Sequence, residues 1–387
     1  MKLDLRWTTS LRATRALLLA GLAAGGLAAC SEPTAPTTKV SGTLTLVPNM
    51  RPEGLTPDGS TALLTDRMSG TAEFYFYNTT TNTLTLAGSP GDASYDYATG
   101  ISADLKVSAI HGKPEQAGVW SQGGGWQDLG NIYATGCEFD NLTHEQDQSS
   151  GKDISADGTV VVGFVWNGCN PEAFMHNAGG FVSLDVLGAG SSAFKVSEDG
   201  SVAGGWASKT NVVGVDTFAL DRSPAIWKAN GVGSFLPLGP FDPSAPGEVL
   251  GLNADGSMAT GIWANDGFYW TKSNNTTYNM GPRPPASDPS DKVHSNVIAA
   301  NNKLIFGGVG DGFSIGFPLA FVWTQSTGMR SLQDVLVADG VSIPAGLMLT
   351  NVLAASNDGT IIVGTALDAS FVDQVFVLKV PVAAWGL

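Results

Sequence analysis

A Gly-x-Ser-x-Gly pattern at Gly312-Phe313-Ser314-Ile315-Gly316 is the stretch whose residue types and spacing best match a nucleophile for acyl transfer. Such a serine reacts only when a sharp strand-to-helix turn exposes its hydroxyl beside a base. The surrounding sequence is Gly-rich and shows no helical period, so Ser314 reads as a chance match. The four histidines, His111, His144, His176 and His294, are scattered without zinc-ligand spacing, which disfavours a zinc enzyme. His144-Glu145-Gln146-Asp147 is polar enough for acid–base work or for Ca²⁺, but a solvated loop has the same composition. No cofactor and no catalytic residue is assigned; Ca²⁺ is the one ion that the acidic surface would permit. Carboxylates from distant segments could still meet and act as an acid–base pair, which linear spacing cannot reveal.

The chain begins with Lys2, Arg6, Arg12 and Arg15 and then runs apolar from Ala16 to Ala29, too short a stretch to cross a bilayer as a helix. This is an export signal. Its end, Leu27-Ala28-Ala29-Cys30, resembles the lipobox of bacterial lipoproteins, which implies that Cys30 becomes the lipidated first residue of the mature protein. An ordinary cleaved signal with an incidental cysteine is the competing reading. Ser31 follows, and in many lipoproteins a residue other than Asp there accompanies outer-membrane sorting. The expected organisation is a signal peptide over 1–29, a lipidated cysteine and Pro/Thr-rich flexible tether over 30–39, and one folded domain over 40–387. The expected address is the bacterial cell envelope, at the outer membrane or cell surface. The other two cysteines, Cys137 and Cys169, form an even pair in an exported chain, and a disulfide is the default expectation. The formal charge of −15 becomes about −18 once residues 1–29 are removed, so nucleic acid is not an expected partner. Only 14% of residues are charged, which suits a sheet-rich body with much buried Val, Ile, Ala and Gly.

The elements that would position any site come from a repeat. Ile154-Ser155-Ala156-Asp157-Gly158-Thr159-Val160-Val161-Val162-Gly163 recurs in variant form seven times, anchored at Asp58, Asp104, Asp157, Asp199, Asp255, Asn302 and Asp358. Asp-Gly between apolar stretches, present in five of the seven copies, predicts a tight turn, because glycine takes positive φ without steric cost. A short apolar strand such as Phe268-Tyr269-Trp270 or Phe321-Val322-Trp323 follows each turn strand, then a polar hairpin and a further strand. Each unit therefore reads as four short antiparallel strands, and the absence of a sustained 3.6-residue apolar period makes the fold all-β. Four-stranded sheets repeated radially give a β-propeller. The last unit ends before a clear outer strand, while Val40–Val47 precedes the first unit with no partners of its own. The expectation is seven blades in a ring closed by this N-terminal strand; six blades with flanking strands, or an open β-solenoid, are the competing architectures.

The units resemble the HAF family of probable extracellular repeats, I-S-x-D-G-x-x-V-V-G followed by A-F-x-W and a Leu-Gly. Residues 154–190 match best, with Ala173-Phe174 and Leu187-Gly188, although His176 stands at the Trp position. The resemblance covers nearly all of the mature chain and implies export but no shared catalytic residues. The Asp box of sialidase-type propellers separates Asp from Gly, whereas here they are adjacent, which argues against that assignment.

Strand alternation puts the anchor turns and the outer hairpins at one end of the ring and the longer, variable connections at the other. Cys137 and Cys169 both fall at the long-loop end. So do Tyr133, Trp166, Asn167, Asp311, Phe313, Asp368 and Phe371, a mixture of aromatic and hydrogen-bonding groups that would suit a sugar or peptide. Packing between blades is the plainer role for Trp166, as for Trp206 and Trp263. The leading expectation is a non-enzymatic lipoprotein propeller that binds a glycan, peptide or envelope protein through its long-loop face. The rivals are a polysaccharide-acting propeller enzyme with carboxylates at the channel mouth, and an outer-membrane assembly scaffold.

Overall fold

The anchor turn shows how the repeat folds locally. Ser155 Oγ, fully buried, donates to Asp157 Oδ1 at 2.6 Å and accepts from Val160 N at 3.0 Å. Asp157 Oδ1 also accepts from the backbone N and the hydroxyl of Thr159, and Gly158 takes a φ of 69°. The carboxylate thus satisfies the donors of its own turn, the use expected of aspartate at such a site. Ser102, Ser197 and Ser356 repeat the arrangement with Asp104, Asp199 and Asp358, and Thr56 and Asn253 play the serine's part for Asp58 and Asp255.

The computed structural model describes residues 41–66, 73–89, 97–111, 116–130, 148–166, 170–185, 187–188, 190–209, 222–284, 287, 290–310 and 318–387. Among them are seven four-stranded antiparallel sheets, six built from consecutive strands: blade 1 over 50–88, blade 2 over 97–130, blade 3 over 149–183, blade 4 over 191–235, blade 5 over 247–279 and blade 6 over 293–331. Blade 7 takes three strands from 348–379 and its outer strand, Thr43–Pro48, from the start of the domain. Thr43 pairs with Lys379 and Pro48 with Gln374 across six antiparallel positions. The ring is closed by the N-terminal strand, and the fold is a seven-bladed β-propeller.

Closure is visible in the core as well. Seven separate apolar clusters each bridge one pair of neighbouring blades, for instance Val162, Met175, Ala193 and Trp227 between blades 3 and 4, and Val47, Leu64, Tyr77 and Val375 between blades 7 and 1. Every blade therefore buries both of its faces, which is what lets a short sheet with few charges be stable. The anchor turns also chain blade to blade through backbone hydrogen bonds: Ala103 N to Ala156 O, Ala156 N to Glu198 O, Asp199 N to Ala254 O, Ala300 N to Asn357 O and Asn357 N to Pro57 O.

Two features depart from the sequence reading. In blade 6 the residue equivalent to the anchor aspartate is Asn301, not Asn302, since Ala300 makes the interblade bond that Ala156 makes in blade 3. The matching glycine is Gly307, not Gly308. A Cβ on Gly307 would strike His294 O, just as a Cβ on Gly163 would strike Ser150 O. The adjacent Asn-Asn and Gly-Gly pairs made the one-residue slip invisible in the sequence. The second departure is a short α-helix, Leu332–Ala338, capped by Ser331 Oγ accepting from Asp334 N. Its two turns bury Leu332, Val335 and Leu336 in the cluster that contains Trp385, a length too short to leave a sustained helical period.

Each innermost strand carries a β-bulge five residues before its anchor, as between Gly151 and Asp153 or between Ala193 and Lys195. Bulges bend and twist a strand, and seven at one level curve the inner strands around the central channel.

Candidate functional site

Of the residues singled out for ligand contact, Tyr133, Asn167, Asp311 and Phe313 lie outside the described residues, as do Cys30, Cys137, Cys169, His144 and Ser314. Trp166 ends the second strand of blade 3 at the long-loop end and is partly buried. Asp368 and Phe371 share a loop of blade 7 at that end. Asp368 Oδ1 accepts from Ser370 N at 2.8 Å and Val372 N at 3.0 Å, and Oδ2 accepts from Gln374 Nε2. The Val372 and Ser370 amides hold its carboxyl below the usual range. Asp368 thus shapes its loop, while Phe371, at φ 61°, is 61% exposed beside Val372.

A pocket of about 330 Å³ at the long-loop end draws on blades 4, 5 and 6. Arg222 opens the third strand of blade 4, Glu248 lies near the start of blade 5's inner strand, and Lys292 and His294 flank the first residue of blade 6. The Arg222 guanidinium lies 4.4 Å from the Trp206 ring centroid, and its Nη1 is 3.3 Å from Glu248 Oε2. Stacking and ion pairing together fix the plane of the guanidinium. Burial pushes the Glu248 carboxyl up, and the charges of Arg222 and Lys292 oppose that shift. A guanidinium, an amine and an imidazole surround one carboxylate here, in a chain whose formal charge is −15. The arrangement can hold an anionic group. Sequence reading missed this set because its members lie on three blades; His294 was visible only as an isolated histidine.

The central channel carries the carboxylates relevant to a hydrolytic reading. All seven inner strands line a cavity of about 130 Å³, where most positions are small or apolar and Glu53, Asp153, Lys195 and Glu198 are charged; Glu53 accepts from the Thr65 hydroxyl and pairs with Arg51. Asp153 Oδ2 accepts from Val196 N at 3.1 Å and lies 3.8 Å from Lys195 Nζ. Glu198 Oε2 accepts from Asn357 Nδ2 at 2.8 Å, a bridge between blade 4 and blade 7. Burial raises both carboxyls, with the Asp199 charge adding to the effect on Glu198. The cavity is smaller than the roughly 300–1,000 Å³ of ordinary ligand pockets. Each carboxylate already has a partner, and the Glu198–Asn357 bridge spans the ring beside the anchor turns. Among the described residues no group of three or more His, Cys, Asp or Glu is arranged to hold a metal ion, and no helix is long and apolar enough to cross a membrane.

A larger groove lies at the opposite, anchor-turn end, between blades 5 and 6. It encloses about 730 Å³ over Tyr269, Tyr278 and Trp323.

No family model matches this chain, and no curated protein matches it. Solved structures do match, and they give the architecture. The chain is similar to oligogalacturonate lyase from Vibrio parahaemolyticus, at 12% identity and a TM-score of 0.51, over 89% of this chain and 99% of that one. It is similar to virginiamycin B lyase from Staphylococcus aureus, at 13% identity and a TM-score of 0.51, over 88% of this chain and 99% of that one. A third likeness is the β-propeller domain of the Trilobed protease from Pyrococcus furiosus, at 10% identity and a TM-score of 0.50, over 87% of this chain and 93% of that one. The shared feature is the propeller. That domain is described as having an open velcro topology, whereas here Thr43–Pro48 zips onto the last blade. At these identities the likeness carries the fold and no activity.

Proposed function

We propose that this chain is a non-enzymatic, lipid-anchored propeller of the HAF-repeat type in the bacterial cell envelope, and that it binds an acidic glycan through its long-loop face. The observation that carries the reading is the pocket of Arg222, Lys292 and His294 around Glu248, an island of positive charge in an acidic protein. Arg222 is paired with Glu248, and the Lys292 charge, which also acts on Glu248, adds to the field that would attract a carboxylate or sulfate from solution. Such attraction is screened by salt, and binding is expected to weaken as ionic strength rises.

Calorimetric titration of the mature protein with acidic and neutral oligosaccharides tests this. Acidic chains are expected to bind, and a Lys292→Ala/His294→Ala double variant to lose at least about tenfold in affinity. Equal binding of acidic and neutral chains, or unchanged affinity in the double variant, would sink the reading. Anchoring is tested separately by labelling cells with a radioactive fatty acid: Cys30→Ala is expected to abolish incorporation and release the protein from membranes.

A second reading, docking of an envelope peptide or protein, draws on exposed Phe371 and Val372 at the same end. Loss of a cross-linked envelope partner on Phe371→Ser, with glycan binding absent, would favour it over the glycan.

A further inference from the structure

We propose that the groove between blades 5 and 6 at the anchor-turn end is a second binding site, for a neutral oligosaccharide. It lies at the other end of the ring from the long-loop pocket and is independent of it.

In the third strand of each blade one residue faces the next blade. In blades 3, 6 and 7 it is Met175, Val322 or Val377, each fully buried in the interblade core, whereas blades 1, 4 and 5 carry Phe76, Ile226 and Tyr269, which are only partly buried. Tyr269 brings a phenol ring to the junction of blades 5 and 6. The junction opens there into a groove of about 730 Å³, within the size range of ordinary ligand sites.

Its floor is aromatic. Tyr269 and Tyr278 sit directly opposite each other on paired strands, their rings stacked with centroids 4.9 Å apart at 18°. Trp323 of blade 6 continues the surface, 4.9 Å from Tyr269 and tilted by 44°. The Trp323 indole donates to Met280 O at 2.8 Å, which fixes its ring. The rim is polar and oriented. Thr271 Oγ1 donates to Asn274 Oδ1 at 2.7 Å, and Asn274 Nδ2 donates to Tyr278 Oη at 2.6 Å. Tyr278 therefore accepts from the protein and keeps its own O–H for a ligand. Gln325 and Lys303 border the groove from blade 6, and Lys303 is the one charged side chain in the lining.

These features select the ligand class. A sugar ring has a C–H face that packs on an aromatic plane and a rim of hydroxyls that needs amides and hydroxyls as partners. An anionic polymer would want more cations than Lys303, and an apolar peptide would leave the oriented amide and hydroxyls unpaired. Fixed rings also lose little conformational freedom when a ligand lands on them.

The test uses the mature protein and a panel of neutral homo-oligosaccharides of glucose, mannose and N-acetylglucosamine, read by tryptophan fluorescence and calorimetry. At least one member is expected to saturate. Tyr278→Ala is expected to weaken it at least about tenfold, and Asn274→Ala, on an exposed hairpin, several-fold. Tyr278→Phe, which keeps the stack and loses the hydroxyl, should fall between wild type and Tyr278→Ala. Denaturation midpoints of the variants show that each is folded. No saturation by any member of the panel, or wild-type affinity in folded Tyr278→Ala, overturns the proposal; so does occupation of the groove by a second copy of the chain, seen as self-association that Tyr278→Ala removes. Acidic oligosaccharides titrated in parallel report on the long-loop pocket, so failure of one site is visible without the other.

Discussion

The smallest unit that decides this fold is the anchor aspartate. Its carboxyl lies below the ordinary value at Asp58, Asp104, Asp157, Asp199, Asp255 and Asp358. At Asp157 the leading cause is the Ser155 hydroxyl, whereas at Asp199 and Asp358 burial pulls the other way and the hydroxyl and amide donors outweigh it. A carboxyl depressed in the folded state stabilises above its unfolded value and loses that contribution as pH falls through the folded value. Partly buried Glu198 and Glu248, whose carboxyls are raised, act in the opposite sense: they carry a cost at neutral pH that protonation relieves. Six anchors against these few groups leave a net loss of stability on acidification below about pH 4. Asp157→Ala is expected to cost about 1 kcal/mol at neutral pH, since one exposed acceptor serving three local donors is lost. Asp157→Asn keeps an acceptor oxygen, so it should cost less while flattening the acid limb of the stability curve. Chemical denaturation from pH 6 to pH 2 checks both, and a steeper acid limb in Asp157→Asn would contradict the assignment.

At the scale of the blade, the recurrent glycine six residues after the anchor has a packing reason. Gly163, Gly205, Gly261, Gly307 and Gly364 each sit where a Cβ would strike a carbonyl oxygen of the inner strand. In four of these blades a third-strand phenylalanine, Phe174, Phe268, Phe321 or Phe376, lies over the same spot. The Gly and Phe of the repeat are one device: the ring occupies volume that the glycine leaves. Gly163→Ala must shift the inner strand or the ring and is expected to cost about 1–3 kcal/mol or more. An unchanged urea midpoint would show that the blade can relax, and the tight fit would not then explain the repeat. Blades 1 and 2 carry Leu64 and Ile110 instead, which the structure accommodates with Tyr75 and Ala117 opposite.

For the whole molecule, stability depends on Thr43–Pro48 completing blade 7. Removing this strand uncovers the edge of Asp373–Lys379 and strips Val47 from the cluster between blades 7 and 1. A chain shortened through Pro48 is expected to unfold at a lower temperature and to be cut faster by protease within 348–379. If the shortened chain keeps the full midpoint, the N-terminal strand is an ornament and the ring is held by the interblade cores alone. Ring geometry also explains why the two candidate sites lie at opposite ends: each draws on connections that strand alternation sends to one side.

The seven units and the closing strand were legible in the sequence because each rests on short-range physics. A hydroxyl–Asp–Gly turn and two-residue alternation are written within a few residues. Blade 6 shows the limit, since nothing local distinguished Asn301 from Asn302 until interblade hydrogen bonds fixed the register. The site residues mark the same boundary. Arg222 meets Glu248, Tyr269 meets Trp323, and Asn357 meets Glu198 from 159 positions away, only because seven sheets close around an axis. Local preference shaped every blade, and the closed ring alone determined which side chains became neighbours.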